Sequence, residues 1–257
     1  MLSQLNTFIS PAAIYMMPLE IESNRWRCSW LEDKVKVEYH RNDVWEYRGD
    51  YELIGNSCCT VCGSRTIVSK GQTFCTNPHH DRVTLDRAYI VGKYYKTGDP
   101  RFRDSLLSQH IIKLKNNHFF ATPIALAMVL LVKNRYGHLQ DFDTLVPVPS
   151  YRGKSDQGGQ ATSIADIVGY ELDLAVEDIL VKTSESKAVG MKAAERVEMI
   201  DNGTFALAEK STTTKGKKVL LVDDTITTGS TASGCANVLR GSGAAEVSLL
   251  VAGKTWS

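Results

Sequence analysis

A thirteen-residue stretch near the carboxyl end, residues 219–231, constrains the fold more than any other part of the chain. It begins with an apolar run, Val219 to Val222, and continues directly into two acidic residues. Four consecutive apolar residues indicate a strand that is covered on both faces, as in a parallel sheet. Asp223 and Asp224 then stand at the carboxyl end of this strand, where open α/β sheets bind ligands. The stretch therefore predicts an α/β fold with a ligand site at that edge.

The acidic pair leads into a turn of small residues. Thr225 follows the pair, and the turn itself consists of Thr227, Thr228, Gly229, Ser230 and Thr231. Short side chains let backbone N–H groups approach an anion, and the hydroxyls add donors at the start of a helix. A turn that binds a phosphate and carboxylates that accept from hydroxyls together suit a phosphorylated sugar as ligand.

The rest of the carboxyl-terminal two thirds alternates between apolar strands and helices. We predict strands at 88–95, 144–149, 178–183, 204–208, 219–222 and 246–252, and helices at 103–115, 122–136, 160–172 and 229–240, the last closing at Gly241. In the first 57 residues the only predicted strand is 35–39, among three tryptophans that we interpret as core or interface residues. This alternation predicts a parallel sheet flanked by helices.

Composition limits the classes of function. The 257 residues are 43% hydrophobic and 23% charged, which suits one large domain or a catalytic domain with a small appendage. A net charge of +1 gives no overall basic field for nucleic acid. No apolar stretch approaches the roughly 20 residues of a membrane span, and the first 25 residues do not resemble a signal peptide. We therefore expect a cytoplasmic protein that makes no membrane contact.

Four of the six cysteines lie between residues 58 and 75. In a reducing compartment such a cluster favours a metal over disulfides. Cys59 and Cys62 form a tight knuckle closed by Gly63, and Cys75 and His79 complete a C-x2-C-x12-C-x3-H spacing. These four ligands predict a closed, tetrahedral and therefore structural zinc site.

Two alternatives remain open within this cluster, because His80 can replace His79 and Cys58 can replace Cys59. The metal would hold together a segment that has little core of its own. We accordingly divide the chain into an amino-terminal segment with the zinc knuckle, residues 1–86, and an α/β domain, residues 87–257.

Residues 219–231 closely resemble the phosphoribosyl-pyrophosphate (PRPP) loop of type I phosphoribosyltransferases. The resemblance extends over roughly residues 88–255 and is that of the ComF competence-protein family, in which a four-ligand zinc element precedes such a domain. It rests also on Val146-Pro-Val-Pro149, on the basic loop from Ser150 to Lys154, and on Gly158-Gly159-Gln160. The resemblance implies a type I phosphoribosyltransferase fold with a small amino-terminal zinc-binding element.

The resemblance also assigns roles to residues. The acidic pair would hold the ribose hydroxyls and the turn would hold the 5′-phosphate, while Arg152 and Lys154 would face the pyrophosphate. Residues 182–205 resemble the family's mobile catalytic loop, in which we single out Lys192 as catalytic. The other matching positions of that loop are Lys182, Lys187, Arg196 and Phe205.

The chain departs from the ComF pattern at three places. Gln157 stands where an arginine usually precedes the Gly-x-x-Gln turn, and Lys182 and Lys187 stand where the mobile loop usually has arginine and glutamine. The last predicted zinc ligand is histidine instead of cysteine. In addition, Thr227 stands where hypoxanthine and guanine salvage enzymes carry aspartate, which disfavours those substrates.

We therefore expect a phosphoribosyltransferase that binds PRPP with Mg²⁺ and transfers or removes a 5-phosphoribosyl group, with an unknown acceptor. The alternative is a ComF-like accessory protein that senses PRPP without turnover or associates with single-stranded nucleic acid. A third interpretation makes the amino-terminal segment a docking module for a protein partner.

Overall fold

The computed structural model describes residues 20–23, 25–55, 57–136, 141–150, 159–183, 204–208 and 214–256. The strands of the amino-terminal part are β1 (Glu20–Ser23), β2 (Trp26–Leu31), β3 (Lys34–Arg41), β4 (Val44–Glu52), β5 (Thr66–Ser69) and β6 (Gln72–Cys75). Those that follow are β7 (Ala88–Tyr94), β8 (Thr144–Pro147), β9 (Leu180–Lys182), β10 (Phe205–Leu207), β11 (Lys218–Ile226) and β12 (Glu246–Thr255). The α-helices are α1 (Leu106–Leu114), α2 (Ala121–Arg135), α3 (Gln160–Leu172) and α4 (Ser230–Gly241).

The centre of the fold is a parallel sheet with the strand order β7-β12-β11-β8. Alternate residues of β11 enter two different cores, because successive side chains of a strand point to opposite faces. Leu220 and Val222 pack with α1, α2 and α3, whereas Val219 and Leu221 pack with α4. The predicted parallel α/β sheet flanked by helices is confirmed.

A second, antiparallel sheet of β1 to β4 covers the outer side of α1 and α2. These helices consequently lie between two sheets, and nearly every residue of α2 from Ala121 to Val132 is buried. A helix that is apolar on all sides is stable only when it is covered on all sides, which explains the composition of α2. Trp26 is 4% exposed and lies in this shared core, as the aromatic density of the segment predicts.

The amino-terminal sheet is joined to the central sheet at the outer edge of β7. Leu53 forms a bridge with Gly92, and the Ile54 N–H donates to the Val91 carbonyl at 2.8 Å. This contact covers an edge strand that would otherwise expose its hydrogen-bonding groups. Residues on both sides of the predicted 86/87 boundary thus form one core, and the boundary itself stays a prediction.

Three elements, β11, β12 and α4, end later than the sequence suggests. Strand β11 continues past Val222 to Ile226, because β12 keeps pairing with it. Helix α4 runs through Gly241, and the residue with positive φ is Gly243, at +96°, so the left-handed closure lies two residues later.

The predicted helix 103–115 begins in a short 3₁₀ turn, Pro100–Arg103, and α1 starts only after Ser105, whose side chain caps it. None of the helices in the described ranges is long and apolar enough to cross a membrane.

Substituting Gly92 tests the junction between the two sheets. A Cβ at this position would lie 2.4 Å from the Glu52 carbonyl oxygen and 2.8 Å from Leu107 Cδ2, so one of the packed backbones must move. We expect Gly92→Ala to lower the free energy of unfolding by about 1–3 kcal/mol, measured by urea unfolding. Gly98→Ala is the matched control, because nothing lies within 4 Å of its added Cβ. Equal stability of the two variants would contradict the junction.

Candidate functional site

The site begins where β11 loses one of its two neighbours. Pairing with β8 ends at Val222 and Pro147, whereas pairing with β12 continues to Ile226 and Lys254. Beyond Val222 the described part of the chain therefore leaves the β8 side of the strand without a neighbouring strand, and this open edge is the crevice. The carboxyl edge of a parallel sheet is the place where such crevices bind ligands.

Asp223 and Asp224 stand in this open part of β11. The Asp224 backbone N–H donates to Asp223 Oδ1 at 2.8 Å, and the Thr225 hydroxyl donates to Asp224 Oδ1 at 3.2 Å. Burial and then the neighbouring charge of Asp224 raise the pKa of Asp223 well above its usual value. Ionising Asp223 is thus unfavourable in the ligand-free protein. A ligand hydroxyl that donates to the pair, or a bound cation, would stabilise the ionised form.

The small-residue turn leads from β11 into α4. Gly229 adopts a φ of +90° and packs against Val83, whose Cγ2 would lie 3.2 Å from an added Cβ, so glycine suits both the backbone and the space. The hydroxyls of Thr228 and Ser230 lie 2.7 Å apart, and Ser230 begins α4. The first N–H groups of a helix lack partners within it and attract anions, so the turn can hold a phosphate.

The predicted basic residues of the site lie outside the described ranges. This applies to Arg152, Lys154 and Lys192, and to the neighbouring positions Gln157, Lys187 and Arg196. The described ends of the segment that carries Arg152 and Lys154 nevertheless meet beside the crevice. A Cβ on Gly159 would lie 2.4 Å from Ser150 Oγ, and the Val148 N–H donates to the Val222 carbonyl at 2.9 Å.

The ends of the predicted mobile loop are also brought together. Lys182 and Phe205 face each other in the antiparallel pair of β9 and β10. Phe205 packs in the same buried cluster as Cys235 of α4, the helix that starts at the phosphate turn. Cys235 is a core residue, as its helical spacing predicts.

Three of the four predicted zinc ligands converge. The ligand atoms of Cys59, Cys62 and Cys75 all lie within 4.8 Å of one another, and the sulfurs of Cys62 and Cys75 are 3.5 Å apart. Tetrahedral zinc with bonds of about 2.3 Å places sulfurs roughly 3.8 Å apart, so the cluster fits this metal. Gly63, at φ +69°, makes the left-handed turn that folds the knuckle back.

Among the described residues, His79, His80 and Cys58 all lie outside this group of converging ligand atoms. A cavity of about 540 Å³ beside the thiols is lined by His80 and Cys58, together with Cys59 and Cys75. The two residues that the sequence leaves open as alternatives are therefore the ones that border the cluster.

Sequence reasoning missed two buried polar residues that join the cluster to the turn, Asn77 and Lys254. Asn77 is 9% and Lys254 is 5% exposed. Asn77 Nδ2 donates to the Thr228 carbonyl at 3.2 Å, and the Lys254 ammonium donates to the Thr227 carbonyl. Lys254 was recognisable in principle, because it is the one charge within the otherwise uncharged run from Val247 to Thr255.

Fold and site together define an α/β protein with an acidic pair and a phosphate-type turn at the edge of a parallel sheet. Residues 159–253, which include the whole 219–231 stretch, match the phosphoribosyl transferase domain family. The chain is also 28% identical over 195 residues to Competence protein F of Haemophilus influenzae, an alignment that covers 74% of this chain and 81% of that protein. These matches confirm the resemblance to ComF-like proteins, and the parallel sheet flanked by helices fits a type I phosphoribosyltransferase fold.

The raised pKa of Asp223 predicts a pH-dependent stability. The folded protein holds this proton more tightly than the unfolded chain, so the free energy of unfolding falls as the pH rises from about 4 through the raised pKa. Asp223→Asn removes the free-energy cost of ionising this carboxyl in the folded protein. We expect the melting temperature of the ligand-free variant to exceed that of the wild type at pH 8 by about 2–4 °C, as for 1 kcal/mol in a protein of this size.

This gain should shrink toward pH 4, where the wild-type carboxyl is protonated in the folded protein. Thermal unfolding followed by circular dichroism at both pH values measures it, with the exposed Asp104→Asn as control. A gain that is the same at pH 4 and pH 8 would show that the carboxyl charge is not its cause.

Proposed function

We propose that this protein binds PRPP together with Mg²⁺ and transfers its 5-phosphoribosyl group to an acceptor, or catalyses the reverse reaction. The observation that carries the proposal is the continuity of the site. One strand delivers Asp223 and Asp224 into an open crevice, and the following turn starts a twelve-residue helix. Carboxylates accept hydrogen bonds from ribose hydroxyls, while the N–H groups at the helix start donate to the 5′-phosphate.

The chemistry asked of the protein is mainly electrostatic. In the transition state positive charge develops on the sugar and negative charge on the departing pyrophosphate. The acidic pair orients the ribose close to the developing positive charge, and the turn anchors the phosphate end. The family resemblance assigns Arg152 and Lys154 to the pyrophosphate side and Lys192 to the mobile catalytic loop. When bound together with PRPP, Mg²⁺ would supply positive charge at the pyrophosphate.

The double variant Asp223→Asn/Asp224→Asn tests ligand binding directly. Loss of the charge-assisted hydrogen bond of each carboxylate reduces the binding free energy by about 1.5–3 kcal/mol. PRPP affinity should therefore fall by roughly 10²–10⁴-fold. Isothermal titration calorimetry with PRPP and Mg²⁺ measures this change. Far-ultraviolet circular dichroism checks that the fold is retained, and Asp104→Asn is the charge-matched control. Wild-type affinity in the double variant would refute the site.

A PRPP sensor without turnover is the second candidate. The departures at Gln157, Lys182 and Lys187 favour it, because these positions carry arginine or glutamine in the family pattern. Mass-spectrometric detection of pyrophosphate release across a panel of nucleobases separates the two candidates. A sensor binds PRPP without releasing pyrophosphate for any acceptor in the panel, whereas an enzyme releases it with its own acceptor.

We further propose a structural zinc ion held by Cys59, Cys62, Cys75 and His80. The three thiols fit the metal, and His80 borders their cavity. The His80 Nδ1 lies 3.6 Å from the Asp81 carboxylate, so Nε2 is the ring nitrogen that we assign to the metal. Four protein ligands close the site to substrate. A reduced thiolate site also suits the cytoplasmic location expected from the sequence.

Zinc content of point variants tests this ligand set. We expect His80→Ala to weaken zinc binding by at least tenfold, and Cys62→Ser to release the metal, because each removes one of the four bonds. His79→Ala and Cys58→Ser are matched controls that should retain one zinc per chain. Competition with a chromophoric chelator followed by elemental analysis measures the affinities. Loss of zinc in His79→Ala with retention in His80→Ala would restore the assignment made from the spacing.

A further inference from the structure

We infer that Asn77 and Lys254 are positioning residues that couple the thiol cluster to the phosphate turn, so that metal in the cluster raises the affinity of the turn for phosphate. The thiol cluster means Cys59, Cys62 and Cys75, and the phosphate turn means residues 227–231. The inference rests on the proposed function for the identity of the ligand, because a phosphorylated ribose is what the turn would hold. The mechanical coupling itself rests on contacts within the chain.

The geometry of the peptide bond determines which way the N–H groups of the turn point. In a planar trans peptide the carbonyl of one residue and the N–H of the next point in opposite directions. The Thr227 carbonyl accepts from Lys254, so the N–H of Thr228 points away from Lys254. The Thr228 carbonyl accepts from Asn77, so the N–H of Gly229 points away from Asn77.

Both donors therefore orient the peptide planes of the turn. They hold one carbonyl toward Lys254 of β12 and the other toward Asn77, and leave the two adjoining N–H groups on the sides facing away from these donors. If either plane turned over, a carbonyl oxygen would face the anion in place of a donor. Glycine at position 229 makes such a rotation easy, so an external restraint is needed there.

Asn77 is tied to the cluster as firmly as to the turn. Its backbone N–H donates to Cys75 Sγ at 3.4 Å, and its Oδ1 accepts from the His79 N–H at 3.0 Å. A side chain that is fixed at both ends transmits the position of Cys75 to the Thr228 carbonyl. Since the metal determines where Cys75 lies, it also determines where this donor lies.

Lys254 is tied to the cluster by packing and charge. Its Cδ would lie 3.5 Å from a Cβ on Gly63, directly beside the knuckle. Zinc bound by three thiolates and a neutral histidine has a net charge of −1, which favours an ammonium group in this buried position. Metal binding thereby retains Lys254 next to the Thr227 carbonyl.

The same segment supports the start of α4 at two more points. Val83 packs on Gly229, and the backbone N–H of Thr84 donates to Ser233 Oγ at 3.2 Å. The Thr84 hydroxyl donates to the Ser233 carbonyl at the same distance. The chain from Cys75 to Thr84 is consequently a continuous support under the turn and the first turn of the helix.

Hydrogen–deuterium exchange of the ligand-free protein tests the coupling without any assumption about the reaction. Zinc-loaded Asn77→Ala and Lys254→Met should exchange the peptide covering the phosphate turn about tenfold faster than zinc-loaded wild type, as expected for loss of one buried hydrogen bond. Lys254→Arg keeps a donor and should restore protection. Asn116→Ala and Lys115→Met, both at exposed positions, are the matched controls.

Affinity for ribose 5-phosphate provides the second measurement. Removing zinc from the wild type should weaken binding about tenfold, and removing it from the Asn77→Ala/Lys254→Met double variant should have less than a twofold effect, because the coupling is already lost. Elemental analysis confirms that each loaded variant carries zinc. If loaded variants and wild type show equal exchange and equal affinity, the coupling is wrong while the proposed function stands. If wild type binds neither ribose 5-phosphate nor PRPP, the proposed function fails, and exchange still decides the coupling.

Discussion

The parallel pairing of β11 with β12 beyond the end of β8 is the constraint on which the site depends. It keeps the backbone of β11 extended through the acidic pair, so that Asp223 and Asp224 project from a fixed strand. On the other side, β8 ends at Pro147, and the bond from the Val148 N–H to the Val222 carbonyl follows directly after it. The crevice exists because one neighbour continues and the other stops.

The placement of two carboxylates at the open end of β11 lowers the stability of the ligand-free protein. An acidic residue with a raised pKa beside a second carboxylate is unfavourable in the ligand-free protein, and a ligand with hydroxyl groups or a cation relieves that cost. The large buried cores on both faces of the sheet stabilise the fold and offset this unfavourable ionisation. The amino-terminal sheet contributes to one of these cores by covering α1 and α2, and the thiol segment supports the other side under α4.

Much of the α/β part could be predicted, because its signals are local. Helix α3 runs from Gln160 to Leu172 as its apolar spacing predicts, and the four apolar residues of β11 are buried as a central strand requires. The prediction was less good where an element ends. The end of β11 depends on its partner strand, and the closure of α4 at Gly243 depends on contacts with Lys215, neither of which is visible in the local pattern.

The amino-acid sequence by itself determined the order of apolar strand, acidic pair and small-residue turn, and the presence of enough thiols for a metal, because both depend on residues close together in the chain. Only the tertiary structure decided that β1 to β4 cover the helices, that His80 lines the cavity beside the thiols, and that the thiol cluster lies under the turn of residues 227–231. These relations join residues up to 151 positions apart, as with Asn77 and Thr228. Contacts at that separation depend on how the layers pack, which no local periodicity encodes.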